Sequence, residues 1–223
     1  INFSHQGGNM FILTELIIYA TYLVLDITDN MPEMSSLLKF LSVCLCFFVV
    51  DTHVHDIKRI MALTVAADFF LVLTDFYSTG IFLFIMVQMN YYRFLTKTDC
   101  FPLEHFAAMV CAGSILSVLI NFFIMPIDIN AFLAVTYFSS LVLNAFIAIR
   151  LSPLYNEYRY IAICLCLILC CDVHVGVTNV FSSGIWYSFG LIAMWLFYLP
   201  AQVIIAQLYS TKSLNLPYSS QIR

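Results

Sequence analysis

Of 223 residues, 62% are hydrophobic and only 10% charged, where a soluble domain carries roughly 25% charged residues. The chain therefore reads as an integral membrane protein. Its formal charge of -4, with no basic block or cationic aromatic patch, argues against nucleic acid as a partner.

No basic segment followed by a cleavage site opens the chain, so residues 1–9 are expected to be a short polar leader without a signal peptide. Apolar runs then fall at about 10–27, 36–50, 60–76, 79–95, 105–125, 129–149, 160–181 and 186–209. Crossing a ~30 Å hydrocarbon core takes about 20 helical residues, so eight transmembrane helices are expected within 10–209. Residues 210–223 would be a tail. Lys58, Arg59, Arg93, Lys97, Arg150, Arg159, Lys212 and Arg223 fall in or beside the even-numbered connections and the tail, against Lys39 alone on the other side. The positive-inside rule then places both termini in the cytoplasm.

The first predicted helix carries Glu15, Tyr19, Tyr22 and Asp26 on one face, which should point into the bundle or a wet cavity. Lys39 begins the second helix from the side where Asp26 ends the first, as an ion-pair partner for Asp26 or a ligand for a lipid phosphate. DTHVHD (51–56) has a His-x-His spacing but no further ligands, and reads as a solvated loop. The third helix holds a lone carboxylate, Asp68, in an apolar run; a charge there is expensive and needs a job or a partner. The fourth carries Phe84, Gln88, Tyr91 and Tyr92 on one face. Ser114, Ser117 and Asn121 on the fifth, and Tyr137, Ser140 and Asn144 on the sixth, form stripes that read as hydrogen-bonding contacts between helices. The seventh holds Asp172, with His174 about 200° away around the helix. The eighth carries Trp195, Tyr198 and Gln202, with Pro200 expected to bend it. Cys44, Cys46, Cys164, Cys166, Cys170 and Cys171 lie inside apolar runs, where a thiol acts as a small hydrophobe; neither a metal nor a cofactor is expected.

DFFLVLTDFYSTGI (68–81) aligns without gaps on DVHVGVTNVFSSGI (172–185), matching Asp68 to Asp172, Thr74 to Thr178, Ser78 to Ser182 and Gly80 to Gly184. The offset spans four helices, so the fold expected is all-α: a polytopic membrane protein of two parallel four-helix repeats, about 10–100 and 101–209, related by an axis along the membrane normal. Asp68 and Asp172 would then face one cavity with their carboxyl groups roughly 3–7 Å apart. Two carboxylates in a low dielectric cannot easily both ionise, so one holds a proton while the other stays charged. That is an acid and a base in one pocket, with Gln88, Tyr91, Tyr198 and Gln202 expected to line it.

These residues resemble the YhhN family of membrane proteins, which includes the lysoplasmalogenases. The family carries Gly-Asp in one helix, a Gly-x3-Phe-x3-His-x2-Tyr helix, a later Ser-Asp helix and a Tyr-x2-Ala-Gln-x-Leu-Ile helix. Matching them are Ala67 and Asp68; Gly80, Phe84, Gln88 and Tyr91; Cys171 and Asp172; and Tyr198, Ala201, Gln202 and Ile204. Lys39 falls where the family has a lysine at the start of its second helix. Gln88, Ala67 and Cys171 replace the family's histidine, glycine and serine. The resemblance implies hydrolysis of the vinyl ether bond of lysoplasmalogens, with Asp68 and Asp172 catalytic, Lys39, Gln88, Tyr91, Tyr198 and Gln202 around the substrate, and a membrane lysophospholipid as partner. The residues also admit a non-enzymatic reading: a membrane carrier or lipid-binding protein that uses the same aspartates for a proton or a headgroup. Oligomeric state is left open.

Overall fold

The structure, a computed structural model, describes residues 3–28 (3–9 by backbone alone), 31–98, 103–123, 126–181 and 183–210. Among these residues it is all-helical, with eight helices: α1 (Phe3–Thr28), α2 (Pro32–Val49), α3 (His55–Val72), α4 (Tyr77–Thr96), α5 (Leu103–Phe123), α6 (Ile129–Leu151), α7 (Asn156–Val180) and α8 (Ile185–Leu208). Six of them, α1, α2, α5, α6, α7 and α8, are long and apolar enough to cross a membrane. The other two carry more polar groups: Asp56, Lys58, Arg59 and Asp68 on α3, and Gln88, Asn90 and Arg93 on α4. Large apolar side chains cover the outside, among them Phe48, Phe122 and Ile185, as a lipid-facing surface requires.

Local chemistry sets several helix ends. Pro32 opens α2 at a position where its missing N–H is not needed. Asp128 caps α6, its carboxylate accepting from the Ala131 amide at 2.8 Å. Gly184 precedes α8 at a φ of 90°, which a residue with a Cβ rarely adopts. The polar stretch expected as a leader is helical from Phe3; Gly7 and Gly8 weaken a helix there without breaking it as a proline would. At its far end α3 stops at Val72, before the apolar run does, so Asp68 lies one turn from the helix end. The two aligned segments differ accordingly. Gly80 lies inside α4 while Gly184 stands outside α8, and Ser182, the partner of Ser78, lies outside the described residues.

Helix neighbours follow one pattern: α1 packs on α2, α2 on α3, α3 on α4, and the same holds for α5 to α8. α4 packs on α5 and α6, and α8 on α1 and α2. The α5–α6 contact depends on Gly113, where a Cβ would come within 2.5 Å of Thr136 Oγ1 and 2.7 Å of its Cα. The main core draws on α2, α3, α4, α6, α7 and α8, with Ile57, Ile60, Met61, Leu141, Ile161, Leu165 and Ile205 fully buried. One end of the bundle is tied shut. Val50 and Ser210 form an isolated bridge, the Asp51 amide donates to the Tyr209 carbonyl at 2.9 Å, and Lys58 Nζ donates to the Phe47 and Val50 carbonyls at 2.6 and 2.9 Å.

Candidate active site

Asp68 is 4% exposed, and its Oδ2 accepts a 2.6 Å hydrogen bond from the Tyr198 hydroxyl. The bond joins α3 to α8 and meets the demand that a buried carboxylate have a donor. Tyr137 of α6 lies close to Asp172 on α7, whose Oδ2 is shut away from solvent without a hydrogen-bond partner. Tyr137 and Cys171 each feel the charge of both Asp68 and Asp172, and Tyr198 feels Tyr137. The two aspartates and two tyrosines therefore share one neighbourhood, brought in by four different helices. Its apolar wall includes Val43, Cys171 and Tyr198, with Phe84 and Trp195 packed against them. Phe84 also meets the Tyr137 ring at 5.6 Å between centroids.

Other residues expected around the site take different places. Gln88 is buried at 1%, and Asn144 Nδ2 donates to its Oε1 at 2.9 Å and to its backbone carbonyl at 2.8 Å. A buried amide must find such partners, and this one ties α4 to α6. Tyr91 belongs to the main apolar core. Gln202, one turn beyond Tyr198, is 2% exposed with its Oε1 unpartnered. Lys39 takes the ion-pair option: its Nζ stands 2.8 Å from Asp26 Oδ2 and 3.0 Å from Oδ1, and Ser35 donates to the same carboxylate at 2.5 Å. The pair is coupled to the site through aromatic rings. Lys39 Nζ lies 4.9 Å from the Trp195 ring centroid, and Trp195 meets Tyr198 edge-on at 5.6 Å.

Tyr137 is the site residue the sequence concealed. It stood in a stripe read as helix glue, and only the packing of α6 on α7 brings it beside Asp172. Two further polar contacts join helices, as the polar faces of α1 and α6 led one to expect, though with partners the sequence did not name. Glu15, 3% exposed, accepts from Ser42 and from the Cys46 thiol. His105 Nε2 lies 2.9 Å from Ser140 Oγ, with its ring stacked 3.9 Å from that of Tyr92.

Among the described residues no group of three or more His, Cys, Asp or Glu side chains is placed to hold a metal ion, and His53 and Asp51 form a local turn, the His53 amide donating to Asp51 Oδ1 at 2.8 Å. The chain matches no protein-family model, no curated protein and no solved structure.

Proposed function

We propose that the protein is a membrane-embedded hydrolase of ether lysophospholipids, cleaving the vinyl ether bond of lysoplasmalogens as the likeness to the YhhN proteins implies. The observation that carries this reading is the shared neighbourhood of Asp68, held by Tyr198, and Asp172, near Tyr137, inside a bundle whose outer face is apolar. A carboxylate pair in such a setting is suited to acid–base work.

In the reaction proposed, Asp172, whose Oδ2 has no partner, delivers a proton to the outer vinyl carbon. The ether oxygen and its carbon become an oxocarbenium ion. Asp68, fixed by Tyr198, faces that ion as a carboxylate and takes a proton from the water that adds to the carbon. The hemiacetal then collapses: Asp68 returns its proton to the departing glycerol oxygen, Asp172 accepts the hemiacetal hydroxyl proton, and both side chains regain their starting states. The products are a fatty aldehyde and a glycerophospho-base.

The architecture that goes with this function is eight crossings in two parallel four-helix repeats, both termini cytoplasmic. In its support, every helix contact of the first four has a counterpart four helices on: α2–α3 with α6–α7, α3–α4 with α7–α8, and α4–α6 with α8–α2. The deciding experiment incubates the purified protein with lysoplasmalogen and follows aldehyde release, beside Asp68→Asn and Asp172→Asn. Release that both substitutions abolish is expected; no release, or release undiminished by them, overturns the reading.

A further inference from the structure

Burial along two helices stops at the aspartates. On α7, Tyr158, Ile161, Leu165 and Ile168 are buried at steps of three and four, an inward-facing residue per turn, and Cys171 is the last of the series. Among the described residues from Val173 to Phe189 none is buried. On α3, Ile57, Ile60, Thr64 and Ala67 lead up to Asp68, and no residue from Phe69 to Thr79 is buried. A helix packed inwards over its whole length would go on burying one face to its end. The main apolar core accordingly lies on one side of the site: Leu141, Ala145 and Ala148 follow Tyr137 on α6, and Ala201, Ile205 and Ala206 follow Tyr198 on α8, all towards the end tied by the Val50–Ser210 bridge. In the other half α2 keeps Ser35 and Lys39 buried, and α4 keeps Gly80 and Ile85. α8 buries only Gly190 and Ala193 before Tyr198. That half has walls but, beyond the small cluster of Val43, Cys171 and Tyr198, no apolar filling.

From this we infer that the site opens to the compartment opposite the tied end: the water for hydrolysis enters from there, the glycerophospho-base leaves to there, and the lysolipid is drawn from the leaflet on that side. Depth agrees with this. Asp172 stands sixteen residues, about 24 Å, from the start of α7 at the tied end, and eight residues, about 12 Å, from the other end. The open end is polar, with Thr74, Asp75, Ser78, Thr178 and Asn179 all half-buried or exposed. The route towards the tied end is blocked by the apolar core and by the hydrogen bonds of Asp51 and Lys58 beyond it. A fatty aldehyde dissolves in the bilayer, but a charged glycerophospho-base does not cross apolar packing, so the opening sets the side of its release. Lys58 and Arg59 assign the tied end to the cytoplasm, and the reaction therefore faces away from it. The substrate in this inference rests on the hydrolase reading above; the opening rests on the packing alone.

The test uses the full chain, stripped of native cysteines and carrying both Thr52→Cys and Asp172→Cys, in sealed vesicles of mixed orientation. Thr52 is exposed at the tied end and marks that side. A cationic, membrane-impermeant methanethiosulfonate added outside is expected to label each chain at position 52 or at position 172, never at both, as mass spectrometry of the intact chain shows. Val175→Cys, one turn on and packed against the same cluster, takes the place of Asp172→Cys if that chain fails to fold. Chains labelled at both positions, or no labelling at the inner position in any chain, would overturn the opening. In a second arm, the unsubstituted protein is sorted into vesicles of each orientation, and lysoplasmalogen is added outside. Its charged headgroup keeps it in the outer leaflet, so aldehyde is expected only where the tied end faces inwards. Release where the tied end faces outwards overturns the leaflet assignment. No release from either population overturns that assignment together with the hydrolase reading, while the labelling decides the opening by itself.

Discussion

Exchanging Tyr198 for phenylalanine removes one oxygen atom from the candidate site and nothing else of substance. The ring keeps its edge contact with Trp195 at 5.6 Å and its place beside Val43 and Cys171. Asp68 Oδ2, however, loses the donor at 2.6 Å in surroundings that leave the residue only 4% exposed. A hydrogen bond to a charged group contributes about 1.5–3 kcal/mol, and about 1.4 kcal/mol is a factor of ten. If the bond holds the carboxylate in its reacting position, kcat/KM for aldehyde release from lysoplasmalogen should fall roughly ten- to a hundredfold, while the melting temperature moves little compared with a core truncation. Activity of Tyr198→Phe within twofold of the parent would refute the reasoning.

The remaining expectations test packing and the departure from the family pattern. Gly113→Ala drives a methyl group into the Thr136 backbone, 2.7 Å from its Cα, and should cost about 1–3 kcal/mol, read as a lower melting temperature in micelles. Gln88→His restores a titratable group where the YhhN pattern has histidine, and should raise aldehyde release if that position moves protons; no gain would mean that Gln88, held by Asn144 at 2.9 Å, serves only to join α4 to α6.

What could be read from the sequence follows the physics of each signal. Eight apolar runs gave eight helices because backbone in a long apolar run, kept from water, satisfies its hydrogen bonds most readily within a helix. Helix ends were less visible: α3 stops at Val72 although Leu73 and Phe76 continue the apolar run, since hydropathy does not report where the backbone turns. Asp68 and Asp172 were conspicuous as carboxylates in apolar surroundings, and Lys39 with Asp26 because both stood at one end of adjacent helices. Tyr137 and the His105–Ser140 contact were not, because a hydroxyl or an imidazole on a helix declares its partner only when another helix packs against it. Gln88 was legible as a buried amide, yet its partner Asn144 lay 56 residues away.

The crossings of α3 and α4 can be argued from parity. The ends of α2 and α8 lie together, joined by the Val50–Ser210 bridge and by the Asp51 amide on the Tyr209 carbonyl at 2.9 Å. Six helices, α3 to α8, lie between those two points, so an even number of them must cross. α5 to α8 are each long and apolar enough to do so, which leaves α3 and α4 either both crossing or both staying on one side. Lys58 fixes the start of α3 to the tied end, through the Phe47 and Val50 carbonyls. Ten residues on, Asp68 meets Tyr198, which lies ten residues before the end of α8, about 15 Å away from that end at 1.5 Å per residue. α3 has thus reached the middle of the bundle and still has a turn to run, and α4, with 20 residues or about 30 Å, is long enough to return. Both should therefore cross, their polar faces turned inward. In a background lacking the native cysteines, Thr52→Cys and Asp75→Cys, both at exposed positions, should react with an impermeant maleimide from opposite sides of a sealed vesicle. Labelling of both from the same side would make α3 and α4 a re-entrant pair and reduce the crossings to six.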